Sequence, residues 1–228
     1  MPSKIADARA CIARIPDGAS VMMGGFGVCG IPENMVRLLV EHGAKNLTIV
    51  SNNAGVADFG IGLLINAGQV RKMISTYVGE NPNLEKAMIE GRIDVELVPQ
   101  GTFAERIRAA GAGIGAFFTP TGYGTELAQG KEVRALGGRM QVLELPLHAD
   151  YALIQAERGD RWGNLTYRKT ARNFGPVMAT AARITVAQVH EIVELGEIDP
   201  ETVVTPGVYV QRLVRVERKQ PRVALVKP

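Results

Sequence analysis

The sequence predicts an α/β fold, in which a largely parallel sheet is flanked by helices as in an open Rossmann-like domain. Short apolar runs typical of buried strands alternate with segments of helical periodicity, and the turns between them are short. A glycine-rich turn joins the first strand to the following helix. Because ligands of such sheets bind beyond the carboxyl ends of the strands, we look for the functional residues there.

The predicted elements follow one another closely along the chain. They are helix 5–15, strand 20–23, glycine-rich loop 24–30, helix 31–42, strand 47–50, helical segment 60–67, strand 72–77, helix 84–90, strand 94–98, helix 102–110, strands 140–143 and 151–156, helix 176–182 and strand 184–189. Residues 1–215 are predicted to form one domain, and residues 216–228 a basic C-terminal tail.

Local signals set the boundaries of these elements. Isoleucines at helical spacing mark the first helix, and Pro16-Asp17-Gly18 separates it from the first strand. Pro32 stands near the first turn of the second helix, which Gly43 ends. The apolar run 47–50 predicts the second strand, and the same alternation then repeats. Residues 111–124 are rich in Gly, Pro and Thr, so we expect an extended, mobile loop there.

The composition is that of a soluble globular protein and speaks against several kinds of partner. The formal net charge is only +3, from 26 Lys and Arg against 23 Asp and Glu, which gives no electrostatic case for nucleic acid. No apolar run approaches the roughly 20 residues needed to span a membrane. Cys11 and Cys29 lack metal-ligand spacing, so no metal site is predicted, and a cytoplasmic location fits best.

The glycine-rich loop has two interpretations from its residues alone. Residues 25–30 satisfy the G-x-G-x-x-G pattern of nicotinamide-dinucleotide sites, between a strand and a helix. Such sites also need an acidic residue at the end of the second strand, where this chain has Ser51-Asn52-Asn53, and Pro32 removes a backbone donor from the helix start. The alternative is that the glycines only permit a tight turn.

The longer sequence around this loop resembles the signature of family I coenzyme A transferases. Residues 17–32 contain an Asp-Gly pair, a short apolar strand, Gly-Gly-Phe and Gly-x-Pro in that order. The resemblance continues through SNNAG at Ser51, MISTYVGEN at Met73, VPQGTFAERIRAAGAGIGAFFTPTGYGT at Val98, GDRWGN at Gly159 and YRKTARNFGP at Tyr167. It therefore covers nearly the whole chain.

The resemblance implies one half of a two-part enzyme. The family uses two related α/β domains, A and B, with the active site between them, and this chain resembles the A half. The family's nucleophile is a glutamate in a Ser-Glu-Asn-Gly turn of the B half, so no catalytic residue is expected in this chain. If the halves arose by duplication, Asn52 stands where the partner has its glutamate. Glu80 is the alternative nucleophile here, although it follows a different strand.

The family reaction moves coenzyme A (CoA) between two carboxylic acids through a glutamyl thioester, with the CoA thioester as substrate and no tightly bound cofactor. Each free acid presents a carboxylate that needs neutral or cationic donors. The resemblance implies that such donors at two strand ends hold this carboxylate or frame the site, namely Asn52, Asn53 and Gln100. Turn formation is their structural alternative.

The resemblance also implies a CoA-contacting loop, because glycine backbone lets a thioester approach closely. This loop consists of Gly24, Gly25, Phe26, Gly27, Val28, Cys29 and Gly30. Phe26 would supply an apolar wall, or it would fill the core. Solvated or subunit-facing positions are expected for Glu105, Arg106 and Arg108, and equally for Arg168, Lys169 and Arg172, whose alternative role is an interface or CoA phosphate contact. Core or surface positions are expected for His42, His148 and His190.

Within the family, the motifs favour the 3-oxoacid group, which uses succinyl-CoA and acetoacetate, and the 3-oxoadipate group is the alternative. The segment MISTYVGEN and the basic extension after residues 208–213 resemble the 3-oxoacid group. The segment GDRWGNLTYRKTARNFGP resembles the 3-oxoadipate group equally well. A ligand-binding or scaffold protein of the same fold, without catalysis, is the alternative from a different class.

Overall fold

The computed structural model describes residues 2–79 and 81–218, and it confirms an α/β fold built on a largely parallel sheet. Its strands are β1 Ser20–Met23, β2 Leu47–Val50, β3 Val70–Ser75, β4 Asp94–Leu97, β5 Phe117–Thr119, β6 Val133–Leu136, β7 Arg139–Glu144, β8 Ala149–Asp160, β9 Leu165–Thr166, β10 Ala182–Val193 and β11 Arg212–Arg215. Its α-helices are α1 Ala8–Ile12, α2 Glu33–His42, α3 Gly62–Asn66, α4 Pro82–Ile89, α5 Gln100–Ala112 and α6 Gly175–Ala181.

The main sheet orders its strands as β11-β10-β8-β1-β2-β3-β4, and every neighbouring pair on this path is parallel. The short strand β9 pairs antiparallel with β8. In the register of the sheet, Val21 of β1 lies between Ile49 of β2 and Tyr151 of β8. The carboxyl ends of β1 to β4 therefore meet at one edge, which positions the predicted site.

Helices cover both faces of this sheet, as predicted. On one face, Val21 of β1 packs in a core with Ile12 of α1 and Leu39 of α2, and α3 and α4 join the same cluster. On the other face, Met22 packs with Phe103 of α5 and Met178 of α6. Successive strand residues point to opposite faces, so both cores depend on the same short strand β1.

The expectation of an extended loop at residues 111–124 is wrong in part. Gly111 belongs to α5, where a Cβ atom would lie 1.9 Å from the Thr180 hydroxyl oxygen, so this glycine permits close contact between α5 and α6. Gly113 has a φ of 69° and ends the helix. Phe117–Thr119 then forms β5, and the three-stranded antiparallel sheet β5-β7-β6 was not predicted.

The predictions for the two ends of the chain, the first helix and the C-terminal tail, have different outcomes. The first helix is shorter than predicted, because Asp7 caps it by accepting a hydrogen bond from the Ala10 amide at 2.8 Å. The predicted tail 216–228 lies outside the described residues beyond Arg218. Within the described residues, no helix is both long enough and apolar enough to cross a membrane.

Ser20 and Asp150 join the amino-terminal ends of β1 and β8 through three hydrogen bonds. The Ser20 amide and hydroxyl donate to Asp150 Oδ2 at 2.9 and 2.7 Å, and the Asp150 amide donates to the Ser20 hydroxyl oxygen at 2.9 Å. The bonds from the Ser20 backbone and side chain hold the pKa of Asp150 below its ordinary value. The charged carboxylate therefore stabilises the folded state at neutral pH, and this contribution is lost as the pH falls through the depressed pKa.

We expect Asp150→Asn to lower the free energy of unfolding at pH 7 by about 1 kcal/mol. The difference from wild type should begin to close as the pH falls below about 4, and it should vanish only below the depressed pKa of Asp150, where the folded side chain is also uncharged. Denaturant unfolding at a series of pH values measures it. The control is Asp94→Asn, since Asp94 is exposed and its Lys72 contact is 3.7 Å long; it should cost less than about 0.5 kcal/mol. Equal stability of Asp150→Asn and wild type at pH 7 would contradict the prediction.

Candidate active site

The residues predicted from the sequence meet at the carboxyl edge of the main sheet. The glycine-rich loop 24–30 follows β1, Asn52 and Asn53 follow β2, and Gln100 begins α5 just beyond β4. Strand β3 lies between β2 and β4 and contributes Thr76 to the same edge. The structure thus brings together residues that are up to 76 positions apart, from Gly24 to Gln100.

Asn52 and Gln100 form the centre of this edge. The Gln100 amide nitrogen donates to Asn52 Oδ1 at 2.7 Å, and the Thr76 hydroxyl lies 2.9 Å from the same oxygen. Asn52 is only 3% exposed, so its orientation is set by these partners. With Oδ1 held in this way, Asn52 Nδ2 forms no hydrogen bond with the described residues and is left as a neutral donor. Sequence reasoning missed Thr76, whose only signal was its place within MISTYVGEN.

Serine side chains brace the backbone around Asn52. The Ser51 hydroxyl donates to the Met23 carbonyl at 2.9 Å, which ties the end of β2 to the end of β1. The Ser75 hydroxyl lies 3.0 Å from the Asn52 carbonyl, which ties β3 to β2. Both serines are buried, so these bonds are shielded from water. Asn52, Gln100 and Thr76, together called the amide cluster, therefore rest on a rigid frame rather than on a free loop.

Asn53 is placed differently from Asn52. Its backbone forms a parallel bridge with Tyr77, and the residue is buried. Its side chain makes no hydrogen bond with any residue in the described part of the chain. The backbone of Asn53 therefore continues the pairing of the segments that follow β2 and β3, and the role of its side chain stays a prediction.

The glycine-rich loop folds back on itself at the end of β1. The amides of Phe26 and Cys29 each donate to the other's carbonyl at 3.0 Å. Gly25, Gly27 and Gly30 have φ values of 131°, 59° and 75°, which side chains other than glycine rarely adopt. Phe26 is 51% exposed, so the idea that it fills the core is wrong, and its role as an apolar wall stays a prediction.

Asn173 holds this loop in place, and sequence reasoning missed it. Its Oδ1 accepts from the Gly25 amide at 3.1 Å, and its Nδ2 donates to the Cys29 carbonyl at 3.0 Å. A Cβ atom on Gly30 would lie 2.8 Å from the same nitrogen and 2.5 Å from the Ala171 carbonyl oxygen. The loop is thus clamped against residues 171–173 by a partner almost 150 residues away. Its position in YRKTARNFGP was the only available signal.

The helices α5 and α6 fix the distance between Asn173, which clamps the glycine-rich loop, and the amide cluster. Phe103 of α5 meets Phe174 edge-on, with ring centroids 5.5 Å apart. Gln100 lies one turn before Phe103, and Asn173 directly precedes Phe174. An open cavity of about 440 Å³ lies between them and is lined by Phe26, Gln100, Gly101, Ala104, Asn173, Phe174 and Val177.

Arg106 on α5 is less exposed than predicted. Arg106 donates to Glu96 at 3.0 Å and to the Leu145 carbonyl at 2.9 Å, and only 14% of its side chain is exposed. Although burial opposes it, the hydrogen bonds from Lys72 and Arg106 hold the pKa of Glu96 below its ordinary value. Arg106 therefore links α5 to β4 in a structural role, which corrects the expectation of a solvated or subunit-facing position. Glu105 and Arg108 form a surface pair at 2.6 Å, as expected.

The histidines lie outside the amide cluster. His42 Nε2 lies 2.9 Å from the Ile15 carbonyl, His148 is exposed, and burial lowers the pKa of His190 on β10. In residues 2–79 and 81–218, no group of three or more His, Cys, Asp or Glu side chains could hold a metal ion. Glu80, the alternative nucleophile, lies outside the described residues.

Comparisons with known proteins place the chain in one family. The model of the coenzyme A transferase family matches residues 5–216. The chain is 56% identical over 204 residues to the A subunit of 3-oxoadipate CoA-transferase from Pseudomonas putida, covering 89% of this chain and 88% of that protein. It is 55% identical over 212 residues to the A subunit of succinyl-CoA:3-ketoacid coenzyme A transferase from Xanthomonas campestris, with coverages of 92% and 88%.

Solved structures show the same fold at low identity. Glutaconate coenzyme A-transferase from Acidaminococcus fermentans has a TM-score of 0.82 and 21% identity, covering 94% of this chain and 76% of that one. The acyl-CoA transferase YdiF from Escherichia coli O157:H7 has a TM-score of 0.84 and 21% identity, covering 94% of this chain. The match takes up 47% of the YdiF chain, so the present chain spans about half its length.

Proposed function

Because the chain belongs to the coenzyme A transferase family, we propose that it is the A subunit of a 3-oxoacid CoA-transferase. In this proposal the enzyme moves CoA from succinyl-CoA to acetoacetate, through a glutamyl-CoA thioester on a partner B subunit. The names of several relatives support it, among them the A subunits of the succinyl-CoA:3-ketoacid coenzyme A transferases from Xanthomonas campestris and Helicobacter pylori. CoA thioesters are substrates here, and no tightly bound cofactor is part of the proposal.

The observation that carries this proposal is the contact between Asn52 and Gln100. A CoA-transferase binds a free acid next to a reactive enzyme carboxylate, so the chain that shapes the site must supply donors and no competing acid. Asn52 is a buried neutral amide whose oxygen is already occupied, which leaves its nitrogen for an incoming carboxylate. We propose that Asn52, Asn53 and Gln100 hold this carboxylate.

The glycine-rich loop provides the second part of the proposed site. Residues 24–30 leave backbone and an exposed phenylalanine ring beside the same cavity as Gln100. Backbone without side chains allows a thioester to approach closely, and amides that lack an internal partner can face a developing oxyanion. We propose that this loop contacts the pantetheine end of CoA. A cytoplasmic location is also part of the proposal.

A second candidate function is supported by the similarity to the Pseudomonas putida protein. Its identity of 56% is indistinguishable from the 55% of the Xanthomonas campestris protein, and the two enzymes are named for different acids. A 3-oxoadipate CoA-transferase would use the same donors and the same thioester chemistry. The two candidates therefore differ in the acid that enters the cavity, since 3-oxoadipate is longer than acetoacetate and carries a second carboxylate.

We expect transferase activity only when this chain is combined with its co-purifying B subunit. The physical reason is that the proposed nucleophile belongs to the partner, so the isolated chain lacks the group that carries CoA. The assay measures succinyl-CoA-dependent formation of acetoacetyl-CoA, with 3-oxoadipate in a parallel reaction. Preference for acetoacetate supports the first candidate, and preference for 3-oxoadipate supports the second.

Two results would count against the proposed function. Turnover by the verified isolated chain would show that the nucleophile is not on a partner. An absence of activity with either acid in the combined preparation would favour a ligand-binding or scaffold protein of the same fold. A titration with NADH, for which we expect no binding, tests the dehydrogenase interpretation of the glycine pattern.

A further inference from the structure

We infer that residues 168–172 form a binding site for the phosphate groups of CoA. The segment lies beside the glycine-rich loop, on the side away from the amide cluster. This segment contains three cationic side chains, Arg168, Lys169 and Arg172, and all three are exposed. The inference rests on the proposed function, because it assigns an orientation to the CoA thioester that the enzyme would bind.

The three cations lack carboxylate partners in the described part of the chain. Within residues 2–79 and 81–218, none of them forms an ion pair. Glu33 and Glu157 line the same cavity as Arg168 and Lys169. Each of these carboxylates is already paired with another arginine. Glu33 is paired with Arg37 at 2.6 Å, and Glu157 is paired with Arg218. Three positive charges within five residues, with no local compensation, make a site that favours a polyanion.

These side chains face two open cavities that share one wall. Arg168 and Lys169 line a cavity of about 620 Å³. Lys169 and Arg172 line a second cavity of about 860 Å³. Lys169 and Cys29 belong to both cavities, so the cations surround the outer side of the glycine-rich loop rather than lying on unrelated surfaces.

The two cavities continue to the amide cluster and form one groove with the cavity beside Gln100. Phe26 lines both the second cavity and the smaller one that contains Gln100. A ligand lying along it would therefore meet neutral amides at one end, the Phe26 ring in the middle and cations at the other end. CoA thioesters have this order of groups: an acyl thioester, an uncharged pantetheine arm, and an adenosine part bearing a diphosphate and a 3′-phosphate.

The Asn173 side chain holds the backbone of the cationic segment against the glycine-rich loop. Asn173 donates to the Thr170 carbonyl and to the Cys29 carbonyl, both at 3.0 Å, so the cationic segment and the loop are fastened to each other. Lys169 has a φ of 50°, a left-handed conformation that is uncommon for a lysine. Such a conformation persists only where the surroundings impose it, and it turns the segment around the loop.

The test compares two acyl donors in the complex that this chain forms with its B subunit. The variant Arg168→Gln/Arg172→Gln removes two charges from exposed positions and leaves the backbone of Lys169 unchanged. We expect its kcat/KM with succinyl-CoA to fall about tenfold or more. Its kcat/KM with succinylpantetheine, which lacks the phosphates, should stay within about twofold of wild type. A structural role of the arginines would lower both values together.

A matched control and a binding measurement complete the test. Arg71 is an exposed cation near the amino end of β3, away from the groove, and Arg71→Gln should leave both donors unaffected. Calorimetry with adenosine 3′,5′-bisphosphate needs no turnover, and we expect about tenfold weaker binding to the double variant than to wild type.

Equal affinity of the wild type and the double variant for this probe would overturn the inference, as would equal loss of activity with both donors. A complex that shows no turnover but binds the probe through these arginines would overturn the proposed function alone.

Discussion

Asn52→Asp is expected to remove most of the transferase activity of the complex while the fold is retained. The aspartate keeps the oxygen that Gln100 and Thr76 approach at 2.7 and 2.9 Å, so the local hydrogen bonds can still form. It replaces the Nδ2 donor, which forms no hydrogen bond with the described residues, with an anion in a buried position. Loss of one such donor costs on the order of 10² to 10³ in rate, and like charges repel the incoming carboxylate.

We therefore expect kcat/KM to fall by about 10³. The measurement is steady-state kinetics of the complex with succinyl-CoA and the preferred acid, with a thermal unfolding curve to verify the fold. Asn46→Asp is the matched control, because Asn46 is exposed and precedes β2 at the opposite end from Asn52. It should keep wild-type activity. A comparable loss in both variants, or activity near wild type in Asn52→Asp, would refute the proposed role of Asn52.

Gly30→Ala is expected to damage both the stability and the activity of the protein. The added Cβ would lie 2.5 Å from the Ala171 carbonyl oxygen and 2.8 Å from Asn173 Nδ2, in a backbone conformation with a φ of 75°. The left-handed conformation alone costs about 1 to 2 kcal/mol for an alanine, and the overlap forces the loop away from its clamp. We expect the free energy of unfolding to fall by about 3 kcal/mol and kcat/KM by on the order of 10².

Gly43→Ala separates the cost of the left-handed backbone conformation from the cost of the overlap with residues 171–173. Gly43 has a similar φ of 80°, and a Cβ there would meet no atom within 4 Å. It ends α2, remote from the site, so its substitution should cost about 1 kcal/mol and leave kcat/KM unchanged. Denaturant unfolding and steady-state kinetics of both variants measure the difference. Equal destabilisation in the two variants would show that the close contact of Gly30 with residues 171–173 does not contribute to the loss of stability.

The sequence by itself determined the elements and the edge at which the site lies. Apolar runs and helical periodicity act over a few residues, so strands β1 to β4 and helices α2, α4 and α5 were predicted close to their observed positions. The motif resemblance pointed to Asn52, Asn53, Gln100 and the loop 24–30. The roles of these residues stay predictions until the variants are measured.

Only the tertiary structure decided which of these residues meet. Strand order is not encoded in the alternation of strands and helices, and it is this order that lets β3 carry Thr76 between Asn52 and Gln100. The clamp by Asn173 joins segments almost 150 residues apart, and the close packing of α6 on α5 leaves no room for a side chain at position 111. The physical reason is that local propensities extend over a few residues, whereas these contacts are created by packing between distant parts of the chain.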